Sequence, residues 1–88
     1  MTINAMAPDL LEHVPVLFEE TVRGALSYML GGKESRNVLE WFRGDELTNR
    51  QGVFARLASV YGERASPIQK MIDRVFGIRV HELLQQLS

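Results

Sequence analysis

Apolar residues recur along this chain at steps of three and four, and glycine and proline divide the pattern into runs. Leu17, Phe18, Val22, Ala25, Leu26, Met29 and Leu30 follow that spacing, with Glu19, Glu20, Arg23 and Ser27 between them. This predicts a helix from about Pro15 to Leu30, with proline at a first helical position, where its missing N–H leaves no bond unmade. The apolar side covers roughly half the circumference, wider than the ~100° that a core-facing helix needs. Such a helix is central in its fold or also meets a second chain. Gly31-Gly32 supplies a left-handed cap.

A second, short helix is predicted from Ser35 as N-cap to Arg43, burying Val38, Leu39, Trp41 and Phe42. A third runs from Thr48 to Tyr61, with Val53, Phe54, Leu57, Ala58 and Tyr61 inward, and stops at Gly62. Ser66-Pro67 then reads as a hydroxyl cap followed by proline at the first helical position. That fourth helix turns Ile68, Met71, Ile72, Val75 and Phe76 inward and ends at Gly77. A fifth, near Arg79 to Leu87, carries Val80, Leu83, Leu84 and Leu87. No segment alternates apolar and polar residues long enough for a strand, and no Asn-Gly or Asp-Gly hairpin turn occurs. The expectation is an all-α fold, a compact array or bundle of about five short helices. It forms one domain over residues 1–88, with 1–14 a loosely ordered N-terminal segment.

Composition sharpens the class. Forty-five per cent apolar and 24% charged residues are globular proportions, and a net charge of −1 argues against binding by bulk positive charge. The absence of cysteine removes disulfides, thiolate metal sites and a cysteine nucleophile. No apolar stretch is long enough for a bilayer, and no secretory signal pattern opens the chain, so the expected location is the cytoplasm.

Catalytic chemistry is sparse. His13 and His81 lie far apart and belong to no metal-ligand pair, so both read as surface or boundary histidines. Glu19 and Glu20 are adjacent, and helix neighbours point about 100° apart, so they do not flank one substrate bond. Ser27, Ser35, Ser59 and Ser66 lack a nucleophile-elbow context. Gly31-Gly32-Lys33 lacks the GxxxxGK[ST] spacing of a phosphate loop. The expectation is a chain that is not an enzyme and takes no cofactor, metal or small-molecule substrate.

His13-Val14-Pro15-Val16-Leu17 with Glu19-Glu20 resembles the opening of ribosomal RNA cytidine methyltransferases. Tyr61-Gly62-Glu63-Arg64, after Trp41-Phe42, resembles their helical insert. The glycine-rich S-adenosylmethionine loop and the strand-rich domain that separate those segments in the family are missing here. The resemblance therefore transfers no catalytic residue.

Leu57–Ile72 resembles a helix-turn-helix unit: Leu57-Ala58, Gly62 in the turn, then Ile68 and Met71-Ile72 packing the second helix on the first. That resemblance implies a DNA-reading surface of Ser66, Gln69, Lys70, Asp73 and Arg74, with Gln69 and Arg74 toward base edges and Ser66 and Lys70 toward phosphates. From Leu47 to His81 six cations face two carboxylates, a local balance of +4 in a chain whose remainder carries −5. Glu63 and Asp73 depart from the motif, by position and by charge.

The leading expectation is a different class: a small regulatory or adaptor protein that binds another protein, including a second copy of itself as a homodimer. Its interface residues are expected at Tyr28, Val80, Leu83, Leu84 and Leu87, the last four forming an i, i+3, i+4, i+7 helical stripe. Trp41 and Phe42 are expected mainly in the core. DNA binding through Ser66, Gln69, Lys70 and Arg74 is the alternative.

Overall fold

A computed structural model describes residues 2–87 of the chain, with side chains from His13 to Gln86. The described residues are helical and contain no strand. Three main helices dominate: α1 (Thr2–Leu30), α3 (Arg50–Tyr61) and α4 (Ala65–Leu87). An eight-residue helix, α2 (Gly32–Leu39), and single 3-10 turns at Glu46–Thr48 and Gly62–Arg64 join them. The all-α expectation holds, whereas the expected array of about five short helices is corrected to three main ones.

The corrections have common causes. α1 starts at Thr2 instead of Pro15, passing through Pro8 and Pro15. An interior proline forfeits one helical bond and costs about 3 kcal/mol. Pro15 sits on the exposed side of the helix. At the other end, α4 runs straight through Gly77, merging the two expected C-terminal helices. Glycine there costs only about 1 kcal/mol against alanine, and the Phe76 ring beside it meets the Phe18 ring edge to face at 5.1 Å.

Gly31 has φ 84° and breaks the chain between α1 and α2, as the glycine pair suggested. Ser35 is not the N-cap of α2. It lies inside the helix, buried, its hydroxyl donating to the Gly32 carbonyl at 3.1 Å. The helix stops at Leu39, not Arg43, so Trp41 falls in the following turn and is 45% exposed, while Phe42 is buried. α3 starts at Arg50, two residues beyond the expected Thr48, and is capped by Asn49, whose Oδ1 accepts the Gly52 N–H at 3.1 Å. Ser66 and Pro67 are the second and third residues of α4, still inside the first turn, where proline's missing N–H costs no helical bond.

The core forms where α1 meets the rest. Phe18, Val22, Ala25 and Leu26 of α1 pack with Val38, Phe42, Leu47, Val53 and Leu57, and with Ala65, Ile68 and Ile72 of α4. Thr21 is buried among them and satisfies its hydroxyl on the Leu17 carbonyl at 2.7 Å. α4 lies antiparallel along α1, so that Met71 and Val75 neighbour Gly24 and Tyr28, while Leu83 neighbours His13 and Leu17. The other side of this α1–α4 seam faces outward.

Candidate functional site

On the outward side of the seam, α1 presents residues at four-residue steps: Val16, Glu20, Gly24 and Tyr28. α4 lays Met71, Val75, Ile78, Arg79 and Leu83 beside them. Three openings run along the seam and share walls. The end near His13 and Leu83 joins the middle through Arg79. The middle joins the end near Met29 and Lys70 through Met71 and Val75. The last opening has a volume of about 460 Å³. The groove is thus continuous over roughly 18 Å of α1, from Val16 to Tyr28, at 1.5 Å per residue.

Its rim carries large exposed apolar side chains between charged ones. Tyr28 is 80% exposed, Val16 53% and Ile78 52%, with Met29 exposed beside them. Its charge is divided by position. Glu20 and Glu82 line the end near His13, together with Arg79. Lys70 and Arg74 line the opposite end, and no carboxylate lines the middle or that end. The ion pairs among the described residues are Arg23–Glu19, Arg50–Asp73 and Arg56–Glu46, so Lys70, Arg74 and Arg79 enter none of them.

The expected interface residues separate. Tyr28 stands in the groove, the most exposed large apolar or aromatic side chain described. Val80 and Leu83 are half-buried, and Leu83 lines the groove against α1. Leu84 is 48% exposed, and the Leu87 side chain lies outside the described residues. The helical stripe is therefore partly an internal seam. Val16, Met29 and Ile78 were missed by the sequence reading. For Met29 the signal was the excess width of the apolar side of α1, which indicates a second contact face without showing which residues turn outward; Val16 and Ile78 carried no such signal.

The expected DNA-reading residues also separate. Ser66, Lys70 and Arg74 are exposed. Gln69 is half-buried, and its amide donates to the Phe54 carbonyl of α3 at 3.1 Å. Asp73 turns toward α3, where Arg50 Nε and Nη2 donate to its two oxygens at 2.8 and 2.7 Å. These bonds from Arg50 hold the Asp73 carboxyl below its usual pKa. Arg50 also stacks over Phe54, 4.2 Å from the ring centroid. Arg56 donates to Glu46 at 3.1 Å. The Arg43 N–H and then Arg56 hold the Glu46 carboxyl below its usual pKa. Two of the six cations in the basic stretch are thereby spent on structure. Ala58, expected as the small residue at the helix crossing, is exposed, and the buried small residue is Ala65. Gly62 (φ 59°) takes the turn, and Leu57, Ile68 and Ile72 are buried, as the helix-turn-helix resemblance implies.

Among the described residues no group of three or more His, Cys, Asp or Glu side chains is placed to hold a metal ion, and no helix is long and apolar enough to cross a membrane. His13 and His81 are both exposed, with His81 Nε2 3.1 Å from the Gln85 amide. Tyr61 donates to Glu34 at 3.1 Å, and its phenol pKa is raised by burial and then by that carboxylate. This contact ties the end of α3 to α2, away from the groove. In comparisons with protein-family models, curated proteins and solved structures, the chain matches none.

Proposed function

We propose that this chain is a small non-enzymatic regulatory or adaptor module of the cytoplasm, which acts by protein–protein contact through the α1–α4 groove and associates with itself. The observation that carries the reading is the exposed apolar rim of Val16, Tyr28, Met29 and Ile78 along one continuous groove. An aromatic anchor among aliphatic and thioether side chains is the composition of an interface centre, and methionine adapts its shape to a partner.

DNA binding is the second reading, favoured by one observation: Ser66, Lys70 and Arg74 are exposed along one side of α4, where the two cations carry no ion pair. The engagement of Gln69 and Asp73 with α3 weighs against it.

Sedimentation velocity over a range of concentrations, paired with anisotropy of a labelled mixed-sequence duplex at low and moderate salt, tests both. The expected result is concentration-dependent association that Tyr28→Ser with Ile78→Ser removes, and no duplex binding. A monomer at every concentration would discard self-association. Salt-sensitive duplex binding in the range of about 10⁻⁴–10⁻⁶ M, lost in Lys70→Glu with Arg74→Glu, would put the DNA reading in its place.

A further inference from the structure

We infer that the occupant of the α1–α4 groove is the same groove of a second copy, turned end for end, so that the acidic end of one meets the basic end of the other. The inference rests on the self-association reading above and specifies its geometry.

The argument begins with charge. Along the seam, Glu20 and Glu82 stand at one end and Lys70 and Arg74 at the other. Lys70 and Glu82 are twelve positions apart on α4, about 18 Å at the helical rise. A groove polarised in this way repels a parallel copy of itself and attracts an antiparallel one. Twofold pairing is also the commonest symmetry of homo-oligomers, and it demands a self-complementary surface. Arg79 lines both the acidic end and the middle, so it lies near the centre of such a pairing and leaves the polarity of the ends in place.

The apolar residues obey the same symmetry. Val16, Glu20, Gly24 and Tyr28 form one line on α1 at four-residue steps. A twofold axis between Glu20 and Gly24 lays Val16 on the partner subunit's Tyr28 and Glu20 opposite the partner subunit's Gly24. Gly24 is exposed, and no heavy atom lies within 4 Å of where its Cβ would stand. The backbones can therefore approach closely at the crossing. Each Glu20 then reaches the neighbourhood of the opposite Arg74, and each Glu82 that of the opposite Lys70.

The test is a charge exchange in the full chain. One variant carries Glu20→Lys and Glu82→Lys; the other carries Lys70→Glu and Arg74→Glu. All four side chains are exposed, so both variants should keep the wild-type helical circular dichroism. Each alone is expected to lose association by at least tenfold, and an equimolar mixture is expected to recover it as a one-to-one pair in sedimentation velocity. Recovery on mixing is not produced by a folding defect in either variant. Wild type that associates while both variants associate equally would overturn the end-for-end pairing and leave the self-association reading standing. Wild type that never associates would remove both. A mixture that fails to recover, although each variant is folded and monomeric, would also overturn the pairing.

Discussion

At the scale of single residues, the glycines sort into two kinds. Gly62 has φ 59° and ψ −127°, a conformation that side chains with a Cβ avoid, and it turns α3 into the 3-10 turn that leads to α4. Gly77 has no positive φ, lies exposed inside α4, and has no heavy atom within 4 Å of a would-be Cβ. Opposite outcomes follow for one substitution. Gly77→Ala is expected to stabilise by about 0.5–1 kcal/mol, because alanine loses less conformational entropy in a helix. Gly62→Ala is expected to cost roughly 1–3 kcal/mol through backbone strain. At about 4–8 °C per kcal/mol for a domain of this size, thermal unfolding followed by circular dichroism resolves the two shifts and their signs. A stabilising Gly62→Ala would contradict the turn. A destabilising Gly77→Ala would contradict a continuous α4.

At the scale of elements, α3 is held to α4 by the Arg50 clamp on Asp73 as well as by apolar packing. Both side chains are largely exposed, so water and salt weaken the pair, and its pH dependence is the informative property. Asp73 has a folded pKa below its unfolded value of about 3.9. Its stabilisation is thus fully present above that value and fades as pH falls through the lower folded one. Asp73→Asn is expected to be less stable than wild type near neutrality, with the difference shrinking below about pH 4. Urea titrations at several pH values measure it, and a difference that is constant or grows toward acid would refute the clamp.

The same elements show what the sequence carried. Three- and four-residue steps revealed the helices and most of the core, because burial imposes that period on Phe18, Val22, Leu26, Val53, Leu57, Ile68 and Ile72. Breaks were harder to read, since proline and glycine signal an interruption without fixing its outcome. Pro15 and Gly77 were absorbed into long helices, while Gly31 and Gly62, with positive φ, did interrupt the chain. Periodicity likewise does not say which part of a wide apolar side is covered. That depends on where α4 lies, so Tyr28 was legible as a candidate while Val16, Met29 and Ile78 were not. The engagement of Asp73, on the expected DNA-reading surface, was illegible for a related reason. The Arg50–Asp73 pair spans twenty-three positions, and local sequence does not place its members together.

At the scale of the molecule, shape connects stability to assembly. The radius of gyration is 14.4 Å, against about 12 Å for a compact domain of this length. The longest extent is 47 Å, and the 29 residues of α1 span about 43 Å at the helical rise. A small domain buries only about 60–65% of its unfolded surface, and an elongated one forgoes some of that. In the proposed pairing, a second copy covers the seam groove, removes apolar rim from water and links folding to association. Because the folded chain alone offers the groove, that pairing requires, by mass action, an unfolding midpoint that rises with protein concentration. Well above the dissociation constant, each tenfold increase adds about 1.4 kcal/mol per dimer, or about 0.7 kcal/mol per chain, to the apparent stability. Wild type is therefore expected to gain several degrees in midpoint over roughly a hundredfold range of concentration, at about 4–8 °C per kcal/mol. The Glu20→Lys, Glu82→Lys variant is expected to show none of this dependence, yet to match wild type at the lowest concentration, where both are monomeric. Calorimetry across that range decides the matter. A flat wild-type midpoint means the groove does not contribute to stability through self-association, whereas an equal rise in the variant places the dimer contact elsewhere on the surface.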